Sequence, residues 1–144
     1  MTKPPSIIRF QRFWFGSTIL WAIGTRLAWD RTRNALLANP QTAPVADLAQ
    51  WGSVIAVAVV TLLLWWLVAR RASRTAKWLV VALAAVAGVR IALIGGGLLL
   101  GRAFHPLSQG AFTLAGVLTI ASAAILFRPD ARAWFGEGAA EVEA

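Results

Sequence analysis

Few side chains in this sequence have reactive chemistry, and those few are scattered. Cysteine is absent, which excludes disulfides, thiolate nucleophiles, iron–sulfur clusters and thiolate zinc sites. The only histidine, His105, stands beside Pro106 without patterned neighbours. It supports neither a Ser/His/Asp triad nor a bis-histidine haem, and its loop holds too few ligands for a metal. No paired carboxylates lie inside an apolar stretch, as general acid–base work or proton-coupled export requires. Gly95-Gly96-Gly97 lacks the Lys-Ser/Thr of a phosphate loop. No catalytic, cofactor-binding or metal-binding residue is assigned, no cofactor is expected, and the expected class is not an enzyme.

What remains is a set of arginines. Arg90 lies twelve residues into an apolar stretch of 23 residues, Trp78 to Leu100. At the centre of a bilayer an arginine costs about 2.5–3.5 kcal/mol on insertion scales. No Asp or Glu lies in the core of an apolar stretch to pair with it, and the nearest neutral candidates are Ser17, Thr18 and Thr61. Snorkelling is the plain reading. The functional ones are contact with a lipid phosphate or a partner's acidic residue, or a place in an anion path. Arg26 and Asp30 stand four apart and can pair on one helix face. With Arg31, Arg33 and Arg102 they form a basic collar, suited to interfacial anchoring or to anionic headgroups.

These residues must be positioned by membrane helices. Of 144 residues 58% are apolar and only 14% charged, whereas soluble domains run about 45–50% and about 25%. So small a soluble chain has too little interior for that composition. Four stretches approach the ~20 helical residues that cross a hydrocarbon core: about 13–29, 48–69, 78–100 and 109–127. They are continuous apolar runs without the alternation of a membrane barrel. The expectation is an all-α, four-helix integral membrane domain over residues 1–135, with a flexible acidic tail at 136–144. The aromatic character of the first span argues for a retained helix over a cleaved leader. Asp47 with Gln50 reads as a capping-box variant opening the second span, and Ser108 as a cap of the fourth. Residues 31–38 suit a short interfacial helix. Residues 70–77 suit a turn joining spans two and three in a tight hairpin. Ala131, Trp134 and Phe135 suit a helix on the membrane surface.

Small residues recur every four positions in span three, at Ala84, Gly88, Ala92 and Gly96, and in span four, at Ala111, Ala115, Thr119 and Ala123. Such ladders let helices approach closely in lipid, and here they predict a seam between spans three and four. Arg90, 200° from Gly88 on a helical wheel, points away from that seam. The net charge of +8 fits loops held at an anionic leaflet better than nucleic acid, because apolar spans split the basic residues.

Leu126 to Phe135 (LFRPDARAWF), after an apolar span, resembles the ends of small four-helix bacterial inner-membrane proteins of no assigned activity. The Trp-flanked basic turn from Trp65 to Leu79 resembles them too. The likeness covers roughly residues 60–135, and it implies a multi-pass protein of the bacterial inner membrane without implying functional residues. The expected role is an accessory or interaction subunit that packs against lipids, a membrane-protein partner or a second copy. The alternative is a small oligomeric transporter or channel with Arg90 in its anion path.

Orientation follows from the basic residues. The N-terminal flank, the 70–77 turn and the C-terminal segment hold Lys3, Arg9, Arg12, Arg70, Arg71, Arg74, Lys77, Arg128 and Arg132; the other side holds Arg26, Arg31, Arg33 and Arg102. The excess places both ends in the cytoplasm. Cysteine at Ser73 or Ala140 is expected to resist an impermeant thiol reagent in intact cells, and one at Gln41 to react. The reverse pattern inverts the topology.

Overall fold

The computed structural model describes residues 3–99 and 106–137, of residues 98 and 99 the backbone alone. It is all helical, with no strand among the described residues. The elements are α1 (Pro5–Leu27), α2 (Trp29–Ala38), a 3-10 turn (Ala43–Val45), α3 (Ala46–Ala69), α4 (Arg74–Leu99), α5 (Pro106–Ile125) and α6 (Pro129–Trp134). Three helical segments are long and apolar enough to cross a membrane: Ala43–Ala69, Arg74–Gly97 and Pro106–Ile125, with mean hydropathies of 2.4, 2.2 and 1.4. Helix α1, which holds most of the first expected span, is not among them; it carries Arg9, Arg12 and Arg26. Large side chains such as Leu48, Val86 and Leu93 stand 75%, 65% and 71% exposed on these segments. In water that surface would be an aggregation liability, whereas in a bilayer it is a lipid face.

Helix α5 is the centre of the molecule. Helix α1 runs antiparallel along it in the most extensive contact of the fold, and α4 takes a second side. A Cβ on Gly24 would lie 2.9 Å from the Phe112 ring, and one on Gly16 3.3 Å from Leu118. Between them the Ser17 hydroxyl donates to the Ala115 carbonyl at 2.8 Å and lies 2.7 Å from the Thr119 hydroxyl. The small residues of α5 therefore do face a close neighbour, with Ala111, Ala115 and Ala123 buried, but Ala115 and Thr119 meet α1. The α4–α5 contact rests instead on Gly116, where a Cβ would sit 3.0 Å from Ile91 and 3.6 Å from Ala87. Along α4 the expected ladder gives Ala84 buried, Gly88 loosely facing Ile120, Ala92 exposed and Gly96 with open space around it. The ladder thus fails as a seam in its upper half, because α4 turns bulk rather than its small stripe towards α5.

Helix α3 touches its neighbours sparingly. The turn after it is as tight as expected: Ala72 adopts φ +48°, and the Ser73 N–H donates to the Leu67 carbonyl at 3.1 Å. From there α3 and α4 diverge, so the hairpin is packed only at its base. The expected cap of α3 is not formed. Helix α3 has no side-chain cap bond; Asp47 accepts from Arg33 at 2.8 Å, and the Gln50 amide turns inward to donate to the Trp29 carbonyl at 3.0 Å. Helix α5 already begins at Pro106, which puts Ser108 inside its first turn. The short helix expected over residues 31–38 is present as α2, none of whose residues is buried.

The end of the bundle near α6 is closed. Ile7, Phe10, Val68, Val80, Leu126 and Ala131 are fully buried in one cluster there, with Trp14 and Phe135 beside them. The α6 segment does more than lie on a surface. Asp130 accepts from the Ser6 N–H at 3.0 Å, which satisfies an orphan donor of the first turn of α1. The Trp134 indole N–H donates to the Val68 carbonyl at 3.2 Å, and Arg74 donates to the Phe135 and Gly136 carbonyls. Lys77, 2% exposed, meets Glu137 at 2.7 Å and the faces of Phe127 and Phe135. Gly136 and Glu137, the first residues of the expected acidic tail, are therefore docked; residues 138–144 lie outside the described residues.

Two expectations follow. Gly24→Leu forces Phe112 aside and lowers Tm, by the equivalent of about 1–3 kcal/mol for overpacking, while Gly88→Leu has room and changes Tm little; thermal melts in detergent check the order. Glu137→Gln leaves a buried ammonium unpaired and costs about 3 kcal/mol. Adding Lys77→Met to it restores most of the loss in the same assay.

Candidate functional site

Away from α6 the helices part and leave an open cleft between α1, α3 and α4, floored by α5. Its lower part is about 350 Å³, with walls that include Val57, Leu83, Val86 and Ile94 and a floor at Ala115 and Gly116. An adjoining recess of about 400 Å³ is lined by Trp21, Thr25, Gln50, Ser53, Arg90 and Phe112. Trp21, Arg90 and Phe112 belong to both.

Arg90 is the charge of this cleft. It lies about 24 Å along α4 from Arg74, at 1.5 Å per residue. Since α4 starts four residues before Trp78, Arg90 falls in the half of its helix away from α6 rather than at its middle. Its guanidinium carbon sits 4.4 Å from the centre of the Phe112 ring, which itself lies only about 9 Å along α5 from Pro106. The side chain is exposed to the cleft. The wheel argument keeps Arg90 out of the buried seam, but not away from span four. The reason is Phe112, a side chain long enough to reach round α5 and offer its face, where a cation–π contact is favourable.

The three hydroxyls expected as partners are otherwise placed. Ser17 is bonded to α5, Thr18 donates to the Trp14 carbonyl of its own helix, and Thr61 is buried where its carbonyl accepts the Trp14 indole N–H at 3.1 Å. Among the described residues the ion pairs are Arg33–Asp47 and Lys77–Glu137. Neither involves Arg90.

Arg26 and Asp30 do not pair either. The helix breaks between them at Ala28, with φ −94° and ψ 0°, so the regular four-residue spacing is lost. Both line a third recess of about 410 Å³ with Trp21, Trp29 and Trp51; the Trp29 and Trp51 rings meet edge to face at 4.9 Å. Arg33 of the expected collar pairs with Asp47, whose hydrogen bond and then charge raise the guanidinium pKa above its ordinary value. Arg102 and His105 lie outside the described residues. No group of three potential metal ligands occurs among the described residues.

Sequence reasoning missed two residues of the cleft. Phe112 carries no signal in an apolar span, because an aromatic there reads as lipid-facing. Gln50 was absorbed into a capping pattern that its amide does not make. No protein-family model matches the chain, and no curated protein and no solved structure is significantly similar to it.

The cleft side chains can hold an anion at Arg90 and hydrocarbon along the walls below it. With the cleft empty in detergent, Arg90→Leu removes only a cation–π contact, worth about 0.5–2 kcal/mol, and a desolvation penalty of opposite sign. Tm in lipid-free detergent is therefore expected to stay within a few degrees of the parent or to rise. A collapse of the fold in that assay would make Arg90 a structural residue.

Proposed function

We propose that this chain is a non-catalytic integral membrane protein of the bacterial inner membrane, an accessory or interaction subunit. In this reading four helices cross the bilayer, both ends face the cytoplasm, and the open cleft receives a membrane partner or lipids. Helix α1 supports the fourth crossing by its position. Ser6 meets Asp130, Gly16 meets Leu118, Ser17 meets Ala115 and Gly24 meets Phe112. A helix that follows α5 from end to end crosses whatever α5 crosses, and its arginines fall near its ends, where they reach the headgroups. Four crossings return the chain to its starting side, and the excess of Lys and Arg makes that side cytoplasmic.

The observation that carries the functional reading is the cleft itself. One end of the bundle is sealed by α6, while the other exposes an unpaired intramembrane cation between helices that diverge. Intramembrane charge is retained where something answers it, and the scattered reactive side chains favour binding over catalysis.

Purification from native membranes in mild detergent tests this. A bound lipid, or a foreign membrane subunit at fixed stoichiometry, is expected, displaced when Val57→Trp fills the cleft wall. A homo-oligomer that conducts anions after reconstitution, and loses that conductance with Arg90→Gln, would replace the reading with that of a channel.

A further inference from the structure

The recess beside Arg90 contains two unsatisfied polar groups of opposite kind. Arg90 is a donor without an acceptor: Phe112 covers part of its guanidinium by a π contact, and no carboxylate among the described residues meets it. Gln50 is an acceptor without a donor. It is 5% exposed, and its Nε2 donates to the Trp29 carbonyl, which fixes the orientation of the amide. That leaves Oε1 buried with no hydrogen-bond partner. Both residues line the same recess, together with Thr25 of α1 and Ser53 of α3. The recess runs on, through Trp21 and Phe112, into the apolar part of the cleft.

These surroundings specify a ligand with three parts. Arg90 calls for an oxyanion, and its planar fork suits a phosphate. Gln50 Oε1 calls for a hydroxyl or N–H donor. The walls at Val57, Leu83, Val86 and Ile94 call for hydrocarbon. A free phosphate has no chain for those walls. The carboxylate of a partner helix would answer Arg90 but bring no donor to Gln50. We propose that the recess binds an anionic glycerophospholipid with a hydroxylated headgroup. Its phosphate meets Arg90, a headgroup hydroxyl donates to Gln50 Oε1, and an acyl chain lies along the cleft. This rests on the reading of the chain as a membrane-crossing interaction protein and names the occupant of its cleft.

The test uses the full chain, delipidated in detergent, with Tm followed against added phosphatidylglycerol or phosphatidylcholine of the same chains. A ligand that binds the folded state raises Tm by an amount that grows with the logarithm of its concentration over its Kd, so relative affinities are read from the lipid concentrations that give equal shifts. Phosphatidylglycerol is expected to raise Tm, and phosphatidylcholine to do so at least tenfold less effectively. Arg90→Gln should weaken the phosphatidylglycerol response at least tenfold, and Gln50→Leu severalfold. Gln50→Glu, which sets a carboxylate in the recess that Arg90 lines, should abolish it. If Arg90→Gln does not fold, Arg90→Lys serves in its place, with a reduced response because the fork is lost. An equal response to both lipids, or a phosphatidylglycerol response unchanged by the Arg90 substitution, overturns the proposal. Protection by glycerol phosphate alone also overturns it, in favour of a soluble anion. Absence of any lipid response, with a foreign subunit still recovered and lost on Arg90→Gln, sinks the lipid assignment alone and leaves the interaction reading standing.

Discussion

Gly24 on α1 approaches the Phe112 ring on α5 so closely that an added methyl group would lie 2.9 Å from it. Two consequences follow from that contact. The ring is pinned on one side, so the α1–α5 pair closes without a gap, in a medium where close packing rather than the hydrophobic effect holds helices together. The face left open then points towards α4, and the Arg90 guanidinium lies over it at 4.4 Å. One glycine thus sets both the register of the tightest helix pair and the platform of the only charge in the cleft among the described residues that comes from α4. Ser17 reinforces the same register by donating to the Ala115 carbonyl, a bond that leaves no hydroxyl hydrogen unpaired in hydrocarbon.

The opposite end of the bundle supplies the rigidity that lets the cleft stay open. Asp130 binds the start of α1, Trp134 the end of α3, and Arg74 of α4 the chain after α6. Short helix α6 is therefore a clasp across three long ones. Lys77 is held inside it by Glu137 and two aromatic faces. A buried ion pair of this kind contributes little net stability, but losing one partner is costly, so it fixes where the C-terminal segment must sit. Helix α3 is held at that clasp, at Thr61 by the Trp14 indole, and at its start by the Arg33–Asp47 and Gln50–Trp29 contacts with α2, while Leu48, Ile55 and Val59 stay exposed along its outer side.

An open, partly charged cleft would be unstable in a dry hydrocarbon if nothing entered it. Backbone groups are satisfied within the helices, but the Arg90 guanidinium and the Gln50 carbonyl are not. Their energetic demand is local and directional, while the walls around them are apolar. That mixture is what the proposed occupant, part charged and part hydrocarbon, would answer.

Much of the architecture was legible in the sequence because the bilayer imposes it. Length and hydropathy mark out the spans around 48–69, 78–100 and 109–127, and the short α2 and α6 follow from charged and aromatic patterns next to them. The first span was harder to read, since its arginines dilute its hydropathy and only its alignment with α5 argues for a crossing. Arg90 was identifiable because a lone charge in an apolar run has a definite cost. Its surroundings were not. Helical spacing shows that Ala111, Ala115, Thr119 and Ala123 share a stripe, but which neighbour meets that stripe depends on the rotation of two helices, and at Ala115 and Thr119 the structure gives α1 rather than α4. The Arg26–Asp30 pair failed for a related reason: one residue, Ala28, breaks the helix on which the spacing was counted. Glu137, Phe112 and Gln50 acquire their roles from residues 60, 22 and 21 positions away, respectively. Sequence alone determined the solvent of this protein, the lengths of its helices and its one exceptional charge. Tertiary structure decided which faces meet, because contacts between distant segments follow from packing that no local periodicity encodes.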